Sequence, residues 1–198
     1  MIRHISQFDR KNDVKVQGCF LVLDQEVIFA LGGQPLSNQK NQLTDNYLLR
    51  PFFETKECGE KFLLFEHTIL PQLNYPRKNC AAFVHRDFLF VLFGEQLGQF
   101  KVGSPFHQIE FASVKDLFAF EHNPERLFEV REGRIPTPWQ CLTLDTPVRF
   151  FAPAIIQDFT QSDTFLIFGG SVQAGKQTRH SAKNVDRDNM VWSLCLDF

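Results

Sequence analysis

The chain has 198 residues, 43% of them apolar, and a formal net charge of −2 from 21 basic and 23 acidic side chains. That length and apolar share support one domain with a sizeable core, and the near-neutral balance excludes an overall basic field for gripping nucleic acid as well as an acidic tail. The opening MIRHISQFDRKND is too polar for a secretory h-region and no run of about 18 apolar residues occurs, so the expectation is a cytoplasmic protein without a membrane partner.

Taken in chain order, the first element expected is a β-hairpin in CFLVLDQEVIFALGG, Cys19 to Gly33. Two apolar runs flank a polar turn at Asp24, and the second run ends at Gly32 and Gly33. A polar loop from Gln34 to Thr44 leads to a third strand, DNYLL (Asp45 to Leu49), and a fourth, KFLLFEH (Lys61 to His67), before Pro71 and Pro76 break regular structure. The pattern then recurs. CAAFVHRDFLFVLFGE (Cys80 to Glu95) is a second hairpin, with Asp87 in its turn and Gly94 at its end. After a loop from Gln96 to Glu110, KDLFAF (Lys115 to Phe120) and RLFEVRE (Arg126 to Glu132) stand where third and fourth strands belong. The apolar spacing of SVKDLFAFEHNPERLFEV also fits a helix, but Pro124 and the phenylalanine content favour strands. Pro136, Pro138 and Pro147 mark the next linker. A third hairpin, APAIIQDFTQSDTFLIFGG (Ala152 to Gly170), has Asp163 in its turn and ends at Gly169 and Gly170. A loop from Ser171 to Arg187 separates it from DNMVWSLCLDF (Asp188 to Phe198), a third strand. The hairpin runs are nearly continuous in apolar residues, as expected where both faces of a strand are covered. Glycine at a strand end suits a positive φ or a close backbone approach.

A fixed supersecondary unit repeated along a chain is the signature of a repeat architecture. The stretch LPQLNYPRKNCAAFVHRDFLFVLFGEQ (Leu70 to Gln96), with FLIFGGS and DNMVWSLCLDF, resembles the kelch family, whose repeats are four-stranded blades of a β-propeller. The resemblance implies an all-β fold of kelch-like blades, each of four antiparallel strands. It implies about three blades, a half or incomplete propeller, in a single domain over residues 1–198. The approximate blades are 15–70, 77–132 and 149–198, and residues 1–8 are a candidate strand completing a neighbouring blade. Propellers ordinarily close with about four or more blades, so a protein partner or a second copy of the chain is expected to complete the ring. The second copy of the repeat departs from the family pattern at Gly94-Glu95, where a glycine pair is usual.

Chemical signatures are sparse. Gly170, Gly175 and Lys176 match part of a phosphate-binding loop, but Gln177 occupies the position of the magnesium-binding Ser or Thr, and the polar stretch that follows offers no face for a helix. The five cysteines, Cys19, Cys58, Cys80, Cys141 and Cys195, form no C-x-x-C pair and read as reduced thiols. The six histidines, His4, His67, His85, His107, His122 and His180, show no metal-ligand spacing, and the copper site of some propeller relatives has no counterpart around Tyr47 and Tyr75. No nucleophile elbow occurs, and Glu121 with Glu125, or Asp186 with Asp188, read as solvated loop charges. No catalytic residue, cofactor or metal is assigned.

The expectation is therefore a non-catalytic protein–protein interaction or assembly module. Its loops supply contacts, above all the basic third loop with Lys176, Arg179, His180, Lys183 and Arg187. That loop lacks the aromatics that stack on bases, which favours an acidic protein over RNA. The structural glycines expected to tighten the scaffold are Gly32, Gly33, Gly94, Gly169 and Gly170. The competing functions are a substrate-recognition adaptor for a ubiquitin ligase, by resemblance to other kelch proteins, and a propeller enzyme with a central-channel site.

Overall fold

The runs CFLVL and VIFAL pair antiparallel, with Cys19 opposite Leu31 and Leu23 opposite Val27. Their side chains alternate between the two faces of the sheet, and this alternation sets how the rest of the molecule packs. The computed structural model describes residues 15–16, 18–24, 26–35, 45–97, 108–144, 148–149, 153–158, 160, 163–168, 171–172 and 191–195.

Within those residues three units share a hairpin, a two-residue ladder at its base and a further antiparallel strand. The first contains β1 (Lys15–Val16), β2 (Cys19–Leu23), β3 (Val27–Leu31), β4 (Gln34–Pro35), β5 (Asn46–Thr55) and β6 (Lys61–Leu70). The second contains β7 (Arg77–Lys78), β8 (Ala81–His85), β9 (Phe88–Leu92), β10 (Glu95–Gln96), β11 (Gln108–Ser113), α1 (Val114–His122), α2 (Glu125–Arg131) and β12 (Gln140–Thr143). The third contains β13 (Val148–Arg149), β14 (Ala154–Gln157), β15 (Thr164–Phe168), β16 (Ser171–Val172) and β17 (Val191–Cys195). The main sheets have strand orders β2-β3-β5-β6, β8-β9-β11-β12 and β14-β15-β17, with every pairing antiparallel. Each hairpin is closed at its base by a two-residue ladder, β1 with β4, β7 with β10 and β13 with β16. The fold among the described residues is thus mostly β, in open antiparallel sheets.

The hairpin turns follow from their residues. Between β8 and β9 the two-residue turn Arg86-Asp87 has φ of 46° and 65°, the left-handed pair of a type I′ turn, whose twist matches the flanking strands. Asp24 has φ 50° in the equivalent turn of the first unit, and Asp tolerates that region because its short side chain bonds locally.

Three sequence expectations are corrected. KDLFAF and RLFEVRE are not strands: KDLFAF lies in α1 and RLFEVRE in α2 and its C-cap Glu132, and the third and fourth strands of the second sheet are Gln108–Ser113 and Gln140–Thr143. Pro124 does not forbid helix here: it is the N-cap of α2 with φ −62°, so its missing N–H and fixed φ fall where a helix start tolerates them. Val114, Leu117 and Phe120 then fall on one buried helical face. The second unit accordingly runs on to Thr143 instead of ending at 132. The loops after the hairpins are also shorter than expected. Gln34–Pro35, Glu95–Gln96 and Ser171–Val172 are paired, and Gln108 to Glu110 belong to β11.

The third correction concerns the glycines. Strand register places Leu31 opposite Cys19 and Leu92 opposite Ala81, so Gly33 is equivalent to Gly94, and Phe93 occupies the place of Gly32. Backbone angles agree, with φ of 60° and 86° at Gly32-Gly33 against 62° and 85° at Phe93-Gly94. Phe93 holds this left-handed conformation, unusual for a bulky residue, while its ring is buried against Phe90 and Ile109 in one apolar cluster. Gly169 and Gly170 lie outside the described residues.

The sheets stack face to face. The first cluster joins Phe29, Leu31 and Leu48 of the first sheet to Leu89, Val91 and Ala112 of the second, with α1 and α2 contributing Leu117, Phe120 and Leu127. The second cluster joins Phe83, Phe90 and Leu92 of the second sheet to Phe165 and Ile167 of the third. Alternate residues of β9 therefore serve different neighbours. This explains why FLFVL is apolar throughout, with four of its five residues buried.

Candidate interaction surface

The segment between β6 and β8 reads as a proline-broken linker but forms an ordered strap. Its Pro71 carbonyl accepts from Asn46 Nδ2 at 2.8 Å and from Trp139 Nε1 at 3.0 Å, joining the strap to both sheets. Asn46 Oδ1 in turn accepts from the Gly32 amide at 2.9 Å, and the Gly33 amide donates to the Arg77 carbonyl at 2.7 Å. A Cβ at Gly32 would stand 2.5 Å from the Arg77 carbonyl oxygen, so only glycine lets strand end and strap approach this closely.

At the centre of the strap is a fully buried ion pair. Arg77 Nη2 donates to Glu110 Oε1 at 2.6 Å, and neither side chain is exposed. Arg77 also donates from Nη1 to the Gln108 carbonyl at 3.0 Å and from Nε to the Tyr75 carbonyl at 3.2 Å. Glu110 accepts from the Asn74 and Tyr75 amides at 2.6 and 3.1 Å. Burial pushes the Glu110 carboxyl above its ordinary range against the pull of Arg77 and the two amides, and burial lowers Arg77 against the pull of Glu110. The arrangement positions backbone. Its groups are consumed by one another, which suits a structural lock and not acid–base chemistry.

Further braces tie the sheets together. Arg50 of β5 makes a bidentate ion pair with Glu121 of α1, and its guanidinium lies 5.6 Å from the Phe118 ring centroid. The hydrogen bond from Arg50 holds the Glu121 carboxyl below its ordinary range. Arg131 of α2 meets Asp45 at 3.0 Å. Between the second and third sheets, Asp163 Oδ1 lies 2.9 Å from His85 Nε2 and 2.8 Å from Arg86 Nη2. The aspartate singled out in the third turn is therefore an inter-sheet contact. A hydrogen bond with the Cys80 thiol, and then burial, push the Cys19 thiol far above its ordinary range, so it is held protonated and unreactive.

Beyond these braces, two apolar faces remain open. On the first sheet, Ala30, Tyr47 and Leu49 form a small buried cluster, yet on β2 Phe20 and Val22 of the same face are 60% and 59% exposed. On the third sheet, Ile156 of β14 is 48% exposed, and Ala154 beside it on the same face is exposed. An open hollow of about 250 Å³ lies between α1 and the 136–140 segment, lined by Asp116, Phe120, Arg126 and Thr137. Among the described residues no group of three or more His, Cys, Asp or Glu is placed to hold a metal, and no helix is long and apolar enough to cross a membrane.

Of the residues singled out in the sequence, Gly32, Gly33 and Gly94 lie at the strand–strap junctions, with a Cβ at Gly94 blocked by the Lys78 carbonyl. Lys176, Arg179, His180, Lys183 and Arg187 lie outside the described residues. Arg77, Glu110 and Asn46 were not legible as a network. The only signals were the Pro76-Arg77 pair and a lone glutamate in the apolar QIEFAS run. Compared with known proteins, the chain matches no protein-family model and no curated protein.

Proposed function

We propose that this chain is a partial kelch-like propeller of three blades that acts as a non-catalytic interaction and assembly module. The observation that carries this is the open apolar face of the first sheet. Inside the chain, equivalent sheet faces are covered by the next sheet, whereas Phe20 and Val22 of β2 remain mostly exposed. Contiguous exposed apolar surface of this kind marks an interaction site, and blades of a propeller bury their faces on neighbours. The basic stretch holding Lys176, Arg179, His180, Lys183 and Arg187 is this module's candidate contact for an acidic protein surface.

Native mass spectrometry of the purified chain and of a Phe20→Glu/Val22→Glu variant tests the proposal. The unsubstituted chain is expected in an assembled form, which the variant loses while it still unfolds in urea in one cooperative transition. A monomer with nothing bound, and the same mass distribution in both proteins, would refute it.

A further inference from the structure

We infer that a second copy of this chain covers the open faces, head to tail, so that the first sheet of each copy packs on the third sheet of the other. The inference rests on the assembly reading above and names its partner.

Strand register makes the three units comparable position by position. Cys19, Ala81 and Ala154 are equivalent, because each pairs with the last residue of its neighbouring strand, Leu31, Leu92 and Phe168. At the first junction, the first sheet uses the face bearing Cys19, Leu21 and Phe29, and the second sheet answers with Ala82, Val84, Leu89 and Val91. At the next junction, the second sheet uses Phe83, Phe90 and Leu92, the equivalents of Leu21, Phe29 and Leu31. The third sheet answers with Ile155, Phe165 and Ile167, the equivalents of Ala82, Leu89 and Val91. Both junctions therefore join the same two kinds of face in the same order.

What remains open is one face of each kind. Phe20 and Val22 on the first sheet are the equivalents of Ala82 and Val84. Ala154 and Ile156 on the third sheet are the equivalents of Ala81 and Phe83. On β2 and β3, Ile28 and Ala30 accompany Phe20 and Val22, and on β14 and β15, Leu166 and Phe168 accompany Ala154 and Ile156, with no charged side chain among these residues. A second copy brings to each open face the face that its equivalent already packs against within the chain. The new contact thus continues an interface the fold has built twice. Such a heterologous contact needs closure to avoid growing into a filament. Two copies of three sheets make six, inside the range of about four to eight blades at which propellers close, whereas three copies would exceed it.

The test places Val22→Cys and Ile156→Cys together, in a background with the exposed Cys58, Cys141 and Cys195 replaced by serine. Under mild oxidation the doubly substituted chain is expected to give a covalent dimer on a denaturing gel, with residue 22 linked to residue 156 by peptide mapping. Each single substitution alone is expected to stay uncrosslinked. Linkage of residue 22 to residue 22, or a ladder of higher species, would overturn the head-to-tail closed dimer. The unsubstituted protein supplies an independent reading by native mass, with twice the 23.0 kDa chain mass expected. A monomer carrying a different polypeptide at Phe20 and Val22 would overturn the second copy and leave the assembly module standing. A monomer carrying nothing would overturn both.

Discussion

Replacing Glu110 with alanine removes the anion at the centre of the strap. The loss is large because of what it strands: Arg77, with no exposed side-chain surface, loses its carboxylate partner, and the Asn74 and Tyr75 amides each lose an acceptor. Breaking a buried ion pair by deleting one partner costs about 3–5 kcal/mol. The whole stability of a domain is on the order of 5–15 kcal/mol. With a urea slope of about 2 kcal/mol per molar, a loss of about 4 kcal/mol moves the midpoint down by about 2 M. Trp139 donates its indole N–H to the strap at Pro71 and is buried, so fluorescence-monitored urea unfolding reads the affected region directly. The companion Arg77→Met/Glu110→Leu double variant is expected to lose much less than the sum of its single variants, because no buried charge is left alone. A midpoint shift below about 0.5 M for Glu110→Ala, or single costs that add within about 0.5 kcal/mol, would refute the coupled-lock account.

Two other expectations follow from local geometry and charge. Gly94→Ala and Gly59→Ala start from nearly the same backbone, φ 85° and 81°, but a Cβ at Gly94 collides with the Lys78 carbonyl while at Gly59 nothing lies within 4 Å. Calorimetry should show about 1–2 kcal/mol lost at Gly59, the left-handed penalty alone, and clearly more at Gly94; equal losses would remove the close-approach explanation. Glu121→Gln is expected to cost no more than about 1 kcal/mol at pH 7, since Arg50 is 37% exposed. The folded Glu121 carboxyl is held below its unfolded value of about 4.3, so the pair's contribution is complete above that pH and disappears as pH falls through the depressed folded value. Urea titrations at stepped pH check this, and a cost that grows toward acid would contradict it.

Much of the repeat was legible in the sequence because hairpins are local. The apolar runs, the turn aspartates Asp24 and Asp87 and the glycines at strand ends specify strand–turn–strand over about fifteen residues, and the structure forms all three hairpins. The continuous apolar character of FLFVL also announced that both its faces are covered. By contrast, the α1–α2 insertion was ambiguous, since Val114, Leu117 and Phe120 satisfy a helical face while Phe-rich composition favours strand. Packing of that face into the core it shares with β6 and β11 decides between them.

The sequence by itself determined the three-fold recurrence, the antiparallel hairpins and the scarcity of catalytic signatures, because these depend on residue type at short spacing. Tertiary structure alone decided which faces are spent and which remain. Phe20 and Val22 read no differently from Val84 or Phe83 in a list of residues, and only the stacking of sheets leaves the first pair exposed while burying Phe83 and packing Val84 against the core. It also decided the partnership of Arg77 with Glu110, two charges in different strands whose desolvation is tolerated only because the fold brings them to 2.6 Å.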